Sequence, residues 1–284
     1  MPGLARAARY RHPRPSVFAR ILAQLVHARG WTRLRRAMSR RWPMPKLASD
    51  VRDVVYLNWW VAARHAPPAP PGFRYVERDG RTPYTVLTYR HGGFGPEIAG
   101  PLRRLAPSPL QSNWRWYLQR EGDAAGAPVV LFDRNVMDSA LYVLGARAFS
   151  DAMQPHLSAR FTHVCSPEGC ATRIESGDGG APSLRAELAA ADDWGDALWA
   201  PAFGGRDAAL RFLACQDEAL AMTVDGRWAA TRIELPVALA DLRPLRCVGR
   251  VDCPRIEAFG AGAQAPFAFL LEQVPFRVVS ERLL

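Results

Sequence analysis

The sequence predicts an α+β domain that is mostly β, an antiparallel barrel or sandwich carrying two inserted helices. Three observations carry that expectation. From Val51 onward short apolar segments recur between turn residues, two stretches of helical spacing interrupt them, and neither a regular β-α-β alternation nor a fixed repeat is present.

The elements follow in order. Val54 to Ala62 is an apolar run that reads as a buried strand, and the Pro-rich stretch from Pro67 to Gly72 reads as a loop. Arg81 to Tyr89 follows an Asp79-Gly80 turn and predicts a strand, and a Gly-rich loop from Gly92 to Pro96 comes next. Gln111 to Gln119 and Pro128 to Asp133 are further strands. A helix is expected over Val136 to Met153, where Asp138 favours the positive dipole end and Leu141, Leu144 and Ala148 mark a core face. Arg160 to Cys165 and Cys170 to Glu175 flank Ser-Pro-Glu-Gly, a four-residue hairpin loop. A second helix is expected over Arg206 to Met222, behind Gly204-Gly205. Trp228 to Leu235 and Pro266 to Glu272 are among the closing strands.

Charge divides the chain in two. The net +10 resides in residues 1–48, which hold eleven Arg and Lys46 and no acid, whereas the rest carries 25 basic and 27 acidic side chains. A near-neutral body excludes a polyanion-binding face, so no specific nucleic acid is expected as a partner. We therefore divide the chain into a basic amphipathic N-terminal extension, 1–48, and a domain, 49–284. Within the extension, Ser16 to Arg41 sets Phe18, Ile21, Leu22, Leu25 and Val26 at helical spacing among arginines, until Pro43 and Pro45 stop the helix. Three readings stand for it: an arm that binds an anionic membrane surface, an extension translated ahead of a true start at Met38 or Met44, or a helix docked on the domain. Five cysteines without an upstream secretory apolar region fit a reducing compartment. No apolar run reaches the ~18 residues that a spanning helix needs. The expected setting is bacterial cytoplasm, with the inner-membrane periphery as an extension of the first reading.

The strand from Gln111 to Gln119 is the most informative segment. Alternation puts Gln111, Asn113, Arg115, Tyr117 and Gln119 on one side, and Trp114, Trp116 and Leu118 on the other. With the aromatic side packed on the core, the polar side faces water or a cavity, where the planar Arg115 fork suits a carboxylate.

The order Tyr-Leu-Asn-Trp-Trp at 56–60, Pro-Pro-Gly at 70–72, Asn-Trp-Arg-Trp-Tyr at 113–117 and Gly-Ala-Arg at 145–147 resembles the YqjF-like domain of unknown function (DUF 2071) of the acetoacetate-decarboxylase-like superfamily. The resemblance covers most of residues 51–165. It implies a closed, cone-like antiparallel β barrel around an internal cavity, with Asn113, Arg115 and Tyr117 facing inward. In the decarboxylases of that superfamily, Gly-Arg-Glu precedes a Pro-Lys whose amine forms a Schiff base. Here Gly145-Ala146-Arg147 lacks the Glu, Pro155-His156 stands where Pro-Lys is expected, and Lys46, the single lysine, precedes the domain. Imidazole cannot form that adduct.

The expected function is therefore a barrel that binds a small anionic or carbonyl-bearing molecule, with Asn113, Arg115, Tyr117 and Arg147 as its ligands. One alternative is a lyase or isomerase of altered chemistry that moves a proton with His156 or Tyr117. The other is a peripheral-membrane or scaffold protein acting through residues 1–48. No cofactor or metal is expected. The cysteine spacings depart from zinc knuckles, the histidines are scattered, and neither Gly-rich loop ends as a phosphate cradle. Asp252 to Glu257 concentrates charge ahead of a Gly-rich turn, which reads as a surface ion pair or a pocket rim.

Overall fold

A computed structural model describes residues 8–14, 16–17, 21, 23–24, 28–41, 45–123 and 126–284. Fourteen strands form one mixed sheet. They are β1 (Leu47–Ala62), β2 (Phe73–Tyr75), β3 (Arg81–Arg90), β4 (Gly95–Pro96), β5 (Leu110–Arg120), β6 (Val129–Met137), β7 (His156–Leu157), β8 (Arg160–Ser166), β9 (Gly169–Glu175), β10 (Leu184–Ala190), β11 (Glu218–Met222), β12 (Trp228–Glu234), β13 (Leu242–Cys247) and β14 (Phe267–Leu283). The α-helices among the described residues are α1 (Arg29–Arg41), α2 (Ala140–Phe149), α3 (Ala200–Phe203), α4 (Arg206–Ala214) and α5 (Pro254–Ala258).

Hydrogen bonding runs β1–β3–β5–β6–β11–β12–β14 and returns from β14 to β1, so the strands close a ring. The first half of β14 also pairs with β13, from which β10, β9 and β8 continue as a branch. This corrects the expected antiparallel barrel. The sheet is mixed, because β6 pairs in parallel with both β11 and β7, and the branch makes it a ring with an extension.

The two inserted helices are shorter than their periodicity predicts, and both are truncated by pairing. Val136 and Met137 belong to β6, bonded to Ser112 and Gln111 of β5, so α2 begins only at Ala140. Glu218 to Met222 form β11 between β12 and β6, so α4 stops at Ala214. An apolar segment that completes a sheet satisfies its backbone there, and helical spacing alone does not reveal that option.

Burial sorts the side chains into two clusters. Trp59, Trp114, Trp116, Val86 and Leu131 meet residues from β8 to β14 and α5 in one cluster. In the other, Tyr56, Trp60, Tyr89, Tyr117 and Phe269 are covered by α3, α4 and Trp199. Rings pack closely in that second cluster, with Trp60 stacked on Trp199 at 4.9 Å and Phe203 tilted against Phe212 at 4.5 Å. Both faces of β5 are therefore buried. Trp114 and Trp116 belong to one cluster and Tyr117 to the other.

The basic segment contacts the domain through its arginines. Arg35, 7% exposed, pairs with Asp151 and reaches the Ser150 carbonyl, while Arg36 bridges Asp151 and Asp225. Hydrogen bonds from Arg36 and burial act in opposition on Asp225, and the former hold its carboxyl below the ordinary range. Leu34 points outward, half exposed. The apolar positions Phe18, Leu22, Leu25 and Val26 lie outside the described residues. Among the described residues no helix is long and apolar enough to cross a membrane. Cys165 and Cys170 face each other across the β8–β9 hairpin and are joined as a disulfide.

Two outcomes follow. A chain beginning at Pro45 loses the ion pairs of Arg35 and Arg36 with Asp151 and Asp225 and the burial that accompanies them, so its melting temperature is expected to fall by several degrees in a thermal scan. Burial also lowers the His91 pKa to about 4 against an ordinary 6.5, with Gln111 opposing. Between those values the unfolded chain binds a proton that the folded one refuses, so stability is lost as pH falls from 6.5 to 4, by up to about 3 kcal/mol. Urea unfolding at stepped pH should show a shallower slope for His91→Gln, and an identical slope would contradict the burial of a neutral imidazole.

Candidate functional site

The predicted residues divide between two places. Asn113, Arg115 and Tyr117 lie on the face of β5 opposite Trp114 and Trp116, in a hydrogen-bonded layer that α4 meets through Arg115 and Tyr117. Arg115 donates to the Leu213 carbonyl at 2.8 Å and to Tyr117 Oη at 3.3 Å, and Tyr117 donates to the same carbonyl at 3.0 Å. Its guanidinium stands 5.7 and 5.5 Å from the Tyr56 and Tyr117 ring centres. Asn113 donates to Tyr89 Oη and accepts from Gln111, which pairs with His91. This network ties the last turn of α4 to the sheet, where the free carbonyls of a helix end need donors. The clefts described below are lined by other residues.

Arg147 and His156 lie at a different place, the mouth of the ring where β6 ends. Arg147, 2% exposed, donates to the carbonyls of Pro155, Gln154 and Ala8, and its guanidinium covers the Tyr10 ring at 5.1 Å. Burial lowers its pKa to about 9, against the opposing pull of Tyr10. It thus fixes the residue before His156 and the segment that starts at Ala8. His156 is buried on β7, beside Val136 of β6, and Gly180 approaches its ring so closely that a Cβ there would collide with Nδ1.

Around this point the fold gathers charged groups of which the sequence reading marked only Arg255, within Asp252 to Glu257. Asp133, on β6, accepts from Tyr84 Oη of β3 at 2.6 Å and takes both the Nε and Nη2 of Arg255 from α5. Arg134 reaches the same carboxylate at 3.1 Å. Desolvation and the neighbouring carboxylate push the Tyr84 phenol well above its usual range, so Tyr84 donates and does not ionise. Desolvation works on Arg134 in the other direction and lowers its pKa, with Asp133 opposing. Asp133, Arg134, Asn135 and His156 line a gap of about 30 Å³, and Asn135 Oδ1 has no hydrogen-bond partner among the described residues.

That gap adjoins, across Arg134, a cleft of about 790 Å³ lined by Arg9, Tyr10, Arg11, Arg134 and Arg255 and by the loop from Ser176 to Ser183. The 8–14 segment forms one wall. Arg11 donates to the Gly179 carbonyl at 2.7 Å, and Asp178 and Gly180 donate to Pro13 and Arg11. Four arginines border the cleft and no carboxylate lines it among the described residues, while Asp133, which pairs with Arg134 and Arg255, lines the smaller gap. Such a surface attracts an anion with more than one oxygen. No cluster of metal-ligating side chains is present among the described residues.

Two signals pointed here in the sequence. Asp133-Arg134 interrupts an otherwise apolar strand, and the Asp252 to Glu257 charges include Arg255, which is a rim residue paired inward. What the sequence did not reveal is that Arg255 and Asp133, 122 residues apart, meet.

No family model matches the sequence, and no curated protein is detectably similar to it. Solved structures do share the fold. The chain is similar to an acetoacetate decarboxylase-like enzyme from Sphingomonas wittichii RW1, with a TM-score of 0.52 at 10% identity over 84% of this chain and 93% of that one. It is similar to the acetoacetate decarboxylase of Legionella pneumophila, with a TM-score of 0.52 at 9% identity over 85% and 88%. A further acetoacetate decarboxylase gives 0.52 and 9% over 85% and 90%. At these identities the likeness speaks for architecture alone, and by its ring of strands the chain has the acetoacetate-decarboxylase-like fold.

Proposed function

We propose that the protein binds a small carboxylate- or carbonyl-bearing anion at the mouth of its strand ring and forms no Schiff base with it. The observation that supports this reading is the cleft bordered by Arg9, Arg11, Arg134 and Arg255. Its volume, about 790 Å³, suits a metabolite-sized molecule. Arg134 and Arg255 are pre-oriented by Asp133, so little side-chain freedom is lost when an anion binds. Tyr84 holds that carboxylate from below. Arg147 acts one step removed, since it fixes Ala8 and Pro155 on either side of the site.

In this reading the anion's oxygens meet Arg134 and Arg255, and the 8–14 segment covers them. His156 and Asn135 face the small gap beneath Arg134, where a carbonyl group would find a donor. Residues 49–284 contain no lysine, and Lys46 lies exposed at the entry to β1, its carbonyl bonded to Glu97. The motif order that resembles the YqjF-like domain accords with a relative that keeps the ring and has lost the amine. In this reading Arg115 and Tyr117 hold α4 through the Leu213 carbonyl, while Asn113 is engaged by Tyr89 and Gln111.

Titration calorimetry with a panel of small carboxylates and keto acids tests the site. Arg134→Gln should weaken the best ligand by ~1.5–3 kcal/mol, the contribution of a charge-assisted hydrogen bond. Arg115→Met, on the far side of β5, should leave affinity within about twofold, as distant sites act independently. The opposite pattern would move the site under α4. Incubation with acetoacetate and borohydride should leave residues 51–284 unmodified by mass, and a stable adduct there would refute the exclusion of Schiff-base chemistry.

A further inference from the structure

A second basic cleft lies away from the mouth, between the start of β1, the end of β3 and the segment from Gly92 to Ser108. Its volume is about 750 Å³, and Arg52, Arg90, Arg103 and Arg104 line it beside a single carboxylate, Asp50. None of the four arginines is ion-paired among the described residues. Arg103 and Arg104 belong to a pair of 3₁₀ turns over Glu97–Leu105, and that segment also carries the two most exposed large aliphatic side chains of the described residues, Ile98 at 94% and Leu105 at 83%, together with Leu102 at 69%.

The exposure belongs to a segment fixed by several contacts. Glu97 donates its N–H to the Lys46 carbonyl at 2.8 Å and pairs with Arg277 at 3.0 Å. The Arg103 carbonyl closes over Gly93, which has a φ of 58° and where a Cβ would meet that oxygen at 2.8 Å, so only glycine permits the approach. Phe94 stacks on buried His91 at 4.2 Å, and Tyr142 of α2 donates to the Phe94 and Pro107 carbonyls. Three aliphatic chains held in water beside unpaired guanidiniums are costly unless something covers them.

We propose that this face docks on an anionic lipid surface, with Arg52, Arg90, Arg103 and Arg104 meeting lipid phosphates and Ile98, Leu102 and Leu105 entering the acyl boundary. The pairing of charge with aliphatic side chains argues for that occupant. A soluble phosphate needs only the cleft, and a protein partner that buried the aliphatics would also have to bring carboxylates to four cations. A bilayer offers both chemistries in one plane. This docking is independent of the mouth and of the basic N-terminal segment.

The test is co-sedimentation of the full chain with phosphatidylglycerol–phosphatidylcholine vesicles and with pure phosphatidylcholine. Binding is expected to the anionic vesicles and to weaken with salt. Arg103→Glu with Arg104→Glu should lower the partition coefficient by about 25-fold or more, since each cation near the surface contributes roughly a fivefold gain. Ile98→Ser, Leu102→Ser and Leu105→Ser together, all solvent-exposed and so neutral to folding, should lower it at unchanged melting temperature. Failure of the full chain to sediment overturns the proposal, as does binding that survives both sets of substitutions. Stabilisation by glycerol phosphate without vesicle binding would assign the cleft to a free phosphate. Self-association abolished by the serine variants would assign the aliphatics to a second copy. Either result also overturns it, and neither bears on the carboxylate titrations at the mouth.

Discussion

The pairing of β1 with β14 is the constraint on which the rest of the structure depends. It joins Leu47 to Val278 at one end and Asn58 to Phe267 at the other, so the beginning and end of the domain close the ring together. β14 is long enough to serve three neighbours: β1 along one edge, and β13 and then β12 along the other. Without that closure the buried tryptophans of β1 and β5 would lie on an open sheet. Closing a loop of this length costs entropy that grows only logarithmically with its size, but the contacts that repay it come late in folding.

Desolvated charge organises the mouth. Asp133 is buried, and a carboxylate in that position is tolerable because Tyr84, Arg134 and Arg255 satisfy it together. The same arrangement anchors α5 to the ring and turns two guanidiniums toward the cleft. Arg147 is a second case, a buried cation satisfied by backbone carbonyls and by the Tyr10 ring. Each group that the fold had to compensate became a wall of the cleft or a support for one, so stability and site geometry are coupled at this end of the molecule.

The polar network on the other face of β5 has a different consequence. Asn58, Thr85, Tyr117, Arg115 and the Leu213 carbonyl form one connected set, and His91, Gln111, Asn113 and Tyr89 another. Networks of this kind fix one arrangement of helix against sheet where apolar packing alone would allow several. That accounts for the row of polar residues that alternation makes conspicuous in the sequence. Part of that row, Arg115 and Tyr117, holds a helix end.

Local pattern carried what depends on near neighbours. The alternation of β5, the Ser-Pro-Glu-Gly hairpin, the mostly-β composition of the domain and the absence of lysine from residues 49–284 are all written in the chain, because strand period, turn chemistry and residue identity need no distant partner. The fold resemblance was legible through motif order for the same reason. Tertiary structure decided the rest. It turned Val136–Met137 and Glu218–Met222 from helix to strand, since an open sheet position outbids helical spacing. It drew Arg35 and Arg36 inward to Asp151 and Asp225, and set Arg255 on Asp133. It also set the end of α4 on the polar side of β5: a period of two separates the faces of a strand but, when both are buried, cannot say what covers each one.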